Sequence, residues 1–118
     1  MSGTAPGPGG TLSVAFLGVP GFSVPALERI ARSSHRLSLV VTAPDRPAGR
    51  GLRPQPTPVR LAAERLGKPC QLVRPTDRAR LAALLEGLRP DVVVVVAWGG
   101  LLDRRCLAAA GLATVNLH

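Results

Sequence analysis

A chain of 118 residues has room for one domain and one core; at this size it buries about 65% of the surface its unfolded form exposes. Its formal net charge is +8, and Lys68 is the only lysine among 15 basic residues. That excess suits a polyanion such as nucleic acid, although a codon bias toward Arg, Ala, Gly and Pro produces it too. No apolar run reaches the roughly 20 residues that span a bilayer, which excludes a helical membrane anchor within this sequence. Cys70 and Cys106 have no CxxC spacing and no neighbouring His. They read as buried free thiols of a reducing, cytoplasmic compartment rather than as a disulfide or a metal site.

Residues 1–11, rich in Gly and Pro, lack the charged start and apolar centre of a signal peptide and are expected to be a disordered leader. Residues 12–118 then form one incomplete domain. Leu12–Leu17 reads as an apolar strand ending at Gly18, with Ser23 a candidate N-cap and Pro25 in the first turn of a helix reaching about Ser33. A strand–glycine–helix junction is a generic anion or nucleotide site. Here it lacks G-x-G-x-x-G, and Pro20 removes a backbone donor, so a plain turn competes with that reading. His35 reads as a solvated loop residue before a second strand, Arg36–Ala43.

Pro44–Pro58 holds five prolines and two glycines, which forbid regular structure over the whole stretch. Gly49 and Gly51 free the backbone around Arg50, so the loop is able to hold an arginine out toward a phosphate backbone; a solvated linker is the bland alternative. Val59–Leu66 reads as a helix stopped by Gly67, and Pro69–Val73 as a short edge strand. Thr76 is expected to cap a helix through Leu88, whose apolar stripe faces the core while Asp77, Arg78, Arg80 and Glu86 face water. Five consecutive valines, Val92–Val96, suit a strand buried on both faces, which means a central parallel strand. A Trp-Gly-Gly turn, a short helix and a last strand closing on Asn116-Leu117-His118 complete the chain. The alternation predicts an α/β fold, a Rossmann-like open parallel sheet with helices on both faces. Its ligand rim belongs at the carboxyl ends of the last two strands. An α/β domain rarely ends inside its sheet, so a truncated piece of something longer is expected.

Four blocks carry a resemblance: Gly18-Val19-Pro20-Gly21-Phe22-Ser23-Val24-Pro25, Pro44-Asp45-Arg46-Pro47-Ala48-Gly49-Arg50-Gly51, Val95-Val96-Ala97-Trp98-Gly99 and Val115-Asn116-Leu117-His118. In order and spacing they resemble the methionyl-tRNA formyltransferase family along almost everything after residue 11. The second block is the most specific of the four. The resemblance implies formyl transfer from 10-formyltetrahydrofolate to the amino group of methionine on initiator tRNA, in translation initiation. It implies Asn116 and His118 as two members of an Asn–His–Asp trio, with both side chains on one face of the strand. An amide N–H₂ or an imidazolium stabilises a tetrahedral oxyanion, and a His accepts the proton the amine sheds near neutral pH.

The same resemblance assigns Ala97, Trp98, Gly99, Gly100, Leu101 and Leu102 to the pterin pocket, and Arg50, assisted by Arg46 and Arg53, to the acceptor end of tRNA. The sequence departs from the family in three places. The third trio member, an Asp, is not within these residues, so the 118-residue piece is expected to be inactive; the full-length protein is expected to be a monomer. Leu52-Arg53 replaces a usual pair of lysines, and Trp98 replaces a usual Tyr. The alternatives are a dinucleotide-binding oxidoreductase domain, which the absent glycine fingerprint and Thr42-Ala43 at the second strand's end disfavour, or a non-catalytic tRNA-binding remnant.

Overall fold

The computed structural model describes residues 10–48 and 53–117. The first strand, β1 (Ser13–Gly18), is followed by a 3-10 turn (Gly21–Ser23), helix α1 (Val24–Arg32) and strand β2 (Arg36–Thr42). Two three-residue strands, β3 (Arg46–Ala48) and β4 (Arg53–Gln55), come next, then α2 (Pro58–Leu66) and β5 (Cys70–Leu72). The remainder is α3 (Arg78–Leu88), β6 (Val92–Val96), α4 (Arg104–Ala108) and β7 (Ala113–Leu117). The main sheet is wholly parallel in the order β5-β2-β1-β6-β7. It is a doubly wound sheet: the chain steps outward from β1 through β2 to β5, returns, and continues on the other side through β6 to β7. Right-handed crossovers then force α1 and α2 onto one face and α3 and α4 onto the other.

The period of two along β1 divides the core accordingly. Phe16 packs with Leu27, Val40, Val59, Ala62 and Val96 beneath α1 and α2. Ala15 and Leu17 pack with Val41, Leu81, Leu85, Val93, Val95, Trp98 and Cys106 beneath α3 and α4. β6 is interior, as its five valines predict, but it is not equally covered on both sides. Val93 and Val95 are buried under the α3/α4 face, whereas Val92 and Val94 are only half-buried on the other. The same face of β7 carries Ala113, Val115 and Leu117, which pair with Val92, Val94 and Val96. No described helix lies over them, and Val115 and Leu117 are 40% and 44% exposed.

Three local expectations are corrected. The proline-rich stretch is not devoid of regular structure, because β3 and β4 form an antiparallel ribbon in which Pro47 faces Pro54. An antiparallel ladder needs no hydrogen bond at alternate pairs, and two facing prolines fit only such a pair. Asp77 rather than Thr76 caps α3, its Oδ1 accepting from the Arg80 N–H at 3.2 Å. A turn closed by the Asp77 N–H on the Arg74 carbonyl delays the helix by one residue. His35 is half-buried, and its Nδ1 accepts from the Leu12 N–H at 3.1 Å, so it fastens the start of the chain to β2 instead of standing in solvent.

Candidate functional site

Sheet order reverses between β1 and β6, and there Gly18 lies beside Val96. Diverging connections beyond such a pair leave a crevice at the carboxyl ends of the strands. The chain leaves β6 through two left-handed residues, Ala97 at φ 53° and Gly99 at φ 88°. Gly99 adopts this conformation without strain, whereas Ala97 is held against the preference of a residue with a Cβ. Between them Trp98 turns inward and is 2% exposed. Gly100 then passes so close to the Pro75 carbonyl that any Cβ would collide with it.

This path opens a cleft of about 770 Å³ lined by residues 97–102 and by Asn116. Phe22, Leu107 and Thr114 help to close it. Phe22 is 69% exposed and Leu101 is 76% exposed, so the mouth as well as the floor is apolar. Asn116 pairs with Val95 and shares its face with Thr114, whose Oγ1 donates to the Leu107 carbonyl at 3.0 Å. All six residues assigned to the pterin pocket and one of the two assigned catalytic residues are therefore together. His118 lies outside the described residues.

A second cavity, about 520 Å³, lies at the opposite ends of the strands over Val14, Val92 and Val94, with Arg29 and Arg32 at its edge. It is the uncovered sheet face already described, and it has none of the convergent backbone turns of the larger cleft.

Beneath the cleft, Asp103 caps α4 by accepting the Cys106 N–H at 3.0 Å. That bond, with Arg78 and Arg105 nearby, holds its carboxyl below its usual range. Arg105 in turn donates two hydrogen bonds to Glu86, joining α4 to α3 and holding the Glu86 carboxyl low. Burial pushes the Cys106 thiol up to about 11 and raises that of Cys70. Both are free, and neither is a nucleophile near neutral pH, since the reactive form is the thiolate. Among the described residues no group of three His, Cys, Asp or Glu side chains gathers as a metal site would.

Of the arginines assigned to tRNA, Arg50 lies outside the described residues, and Arg46 is placed by its backbone in β3. Arg53 is exposed in β4, with no ion pair among the described residues. Asp45, which precedes Arg46 in sequence, is committed to Arg60, which also reaches Glu64 at 3.4 Å. The two ends of the proline-rich stretch are tied by a buried hydrogen bond of 2.7 Å between the hydroxyls of Thr42 and Thr57. Thr57 also accepts the Arg60 N–H as the cap of α2.

The match to known proteins covers this whole framework. The Formyl transferase family model matches residues 13–118. The chain belongs to the formyl transferase family. Within that family it is 48% identical over 109 residues to a methionyl-tRNA formyltransferase of Roseiflexus castenholzii, covering 92% of this chain and 35% of that protein. It is 46% identical over 110 residues to a methionyl-tRNA formyltransferase of Thermus thermophilus, covering 91% and 35%. The chain thus spans about a third of the length of these curated relatives. A crystal structure of glycinamide ribonucleotide transformylase 1 from Symbiobacterium toebii shares the fold at TM-score 0.66 and 19% identity, over 93% of this chain and 52% of that one. The strand order alone also fits a dinucleotide-binding domain; the formyl transferase match removes that alternative. No helix among the described residues is long and apolar enough to cross a membrane.

Reading the sequence missed Phe22, Leu107 and Thr114 as walls of the cleft. Phe22 lies in the Gly18–Pro25 segment, but nothing in G-x-P-x-F tells a core phenylalanine from an exposed one. The sequence pattern of Ser23 is that of an ordinary helix cap. Ser23 is the N-cap residue of α1, yet its side chain makes no capping bond and instead donates to the Val96 carbonyl at 2.7 Å.

Proposed function

We propose that this chain is the N-terminal part of a formyl transferase catalytic domain that moves a formyl group from 10-formyltetrahydrofolate to the amino group of methionyl initiator tRNA. The observation that carries the proposal is the convergence of residues 97–102 with Asn116 on one apolar cleft at the sheet's point of reversal. A flat pterin suits a wall of this kind, where small or apolar side chains leave backbone N–H and C=O groups to make the polar contacts. The names of the relatives support the tRNA substrate.

In this reading Asn116 donates its amide N–H₂ to the oxyanion that forms when the amine attacks the formyl carbon, and His118 accepts the proton the amine releases; collapse of the oxyanion then breaks the bond from the formyl carbon to N10 of the folate, which takes up that proton and leaves as tetrahydrofolate. Arg46, Arg50 and Arg53 belong to the arm that meets the acceptor end of the tRNA. Their phosphate contacts supply affinity and its salt dependence without reading sequence. No metal is needed, because oxyanion stabilisation and proton transfer are both supplied by side chains. The full protein acts as a monomer in the cytoplasm.

A chimera tests this. Residues 13–118 replace the matching third of the Thermus thermophilus relative, and the product is assayed for formylation of methionyl-tRNA. Transfer is expected, with Asn116→Ala reducing turnover by roughly 10²–10³-fold and leaving tRNA affinity nearly unchanged. A folded chimera that binds tRNA but transfers no formyl group would overturn the proposal.

A further inference from the structure

We propose that Ser23 is a positioning residue that fixes the exit of β6 and thereby the shape of segment 97–102. This rests on the reading of that segment as the folate-holding wall. Serine at an N-cap ordinarily accepts a hydrogen bond from the helix's own first turn. Ser23 occupies that position, is fully buried, and forgoes the bond. Its hydroxyl reaches a carbonyl 73 residues away in sequence, on the last residue of β6.

The approach is close enough to constrain the neighbours. A Cβ on Gly18 would lie 2.9 Å from the Val96 carbonyl oxygen and 3.1 Å from the Ser23 Cβ. Glycine at 18 thus admits the carbonyl, and Ser23 holds it. The next residue is Ala97, in the left-handed conformation at φ 53°. A strained residue of this type persists only where its surroundings over-determine it. The anchored Val96 carbonyl on one side and the buried Trp98 on the other supply that determination. The 3-10 turn after β1, itself closed by the Ser23 N–H on the Pro20 carbonyl at 3.1 Å, therefore acts as a clasp across the point where sheet order reverses.

The test is backbone hydrogen exchange on the 118-residue chain with Ser23→Ala. Loss of one net hydrogen bond is expected to speed exchange of the amides of Trp98 through Leu102 by about tenfold, while the amides of β1 and β2 keep their relative protection. Ser33→Ala removes the bond from its hydroxyl to the Ile30 carbonyl at the far end of α1 and should leave 97–102 unchanged. Gly18→Ala displaces the same carbonyl from the opposite side and should accelerate 97–102 beyond the uniform increase that its lower global stability brings, which keeps the test decisive if Ser23→Ala does not fold. Uniform acceleration, or none, overturns the proposal.

A separate arm uses 5-formyltetrahydrofolate as the probe and the emission of Trp98, the only tryptophan, as the signal. Wild type is expected to bind about tenfold more tightly than Ser23→Ala. Equal binding by the two overturns the positioning role. If Ser23→Ala shows the local acceleration while wild type binds no folate, the clasp stands and the folate reading falls instead.

Discussion

β1 and β7 are short apolar strands of the same parallel sheet, yet they have opposite fates. Every residue of β1 from Val14 to Gly18 is buried. In β7 every residue but Thr114 is exposed. Composition does not separate them, since SVAFLG and ATVNL are comparably apolar. Topology does. β1 lies between β2 and β6 with helices on both faces, whereas β7 is an edge strand with α4 over one face only. The first half of the sheet is a finished core, and the second is a platform whose rim holds the cleft.

The contrast is sharpest in mutational cost. Leu17→Ala, at a fully buried position, is expected to destabilise the fold by about 3 kcal/mol, while Val115→Thr on β7 should change it by less than about 0.5 kcal/mol. Paired urea titrations measure both, and a β7 effect as large as the β1 effect would break the comparison. Gly18→Ala comes next, at about 2 kcal/mol, because the added methyl meets a backbone carbonyl and the Phe16 ring rather than a yielding side-chain tip. Thr57→Val keeps the volume but strips the bonds to Thr42 and to the Arg60 N–H; about 1–2 kcal/mol should be lost.

The smallest effect concerns acid. The Asp103 carboxyl is lowered in the fold from an ordinary 3.8, so its contribution is fully present above that value and is lost as pH falls through the lower folded one. In an acid titration followed by amide NMR, α4 should fray below about pH 4 while α1 and α2 keep their shape. Retained α4 protection after Asp103→Asn at neutral pH would show that the amide oxygen caps as well as the carboxylate does.

Much of the architecture was readable in the residues. The valine run identifies an interior parallel strand, Gly67 stops α2 in a left-handed cap, and the periodic leucines of α3 mark its buried stripe. What could not be read depends on partners far away in sequence. Val92 and Val94 look identical to Val93 and Val95 until the sheet decides which face has a helix over it. Nothing local in Ser23 says that its hydroxyl will cross to β6. The apolar lining of residues 97–102 was legible as a block, and its juxtaposition with Asn116 follows from the β6–β7 register. The ribbon was hidden because proline is normally evidence against a strand, and it is permissible here because both prolines sit in a two-stranded ribbon at a pair that needs no ladder hydrogen bond.

That ribbon has a consequence for solubility. At a pair that exchanges no hydrogen bonds, each residue turns its peptide groups away from its partner and toward the outside. Pro47 and Pro54 occupy that pair and have no N–H to offer. Each outer border of the ribbon therefore lacks a donor where a third strand would need one. A short hairpin with two free borders is otherwise an open template for sticking to its own kind; here the backbone nitrogens of both prolines withhold the donor that a third strand would need.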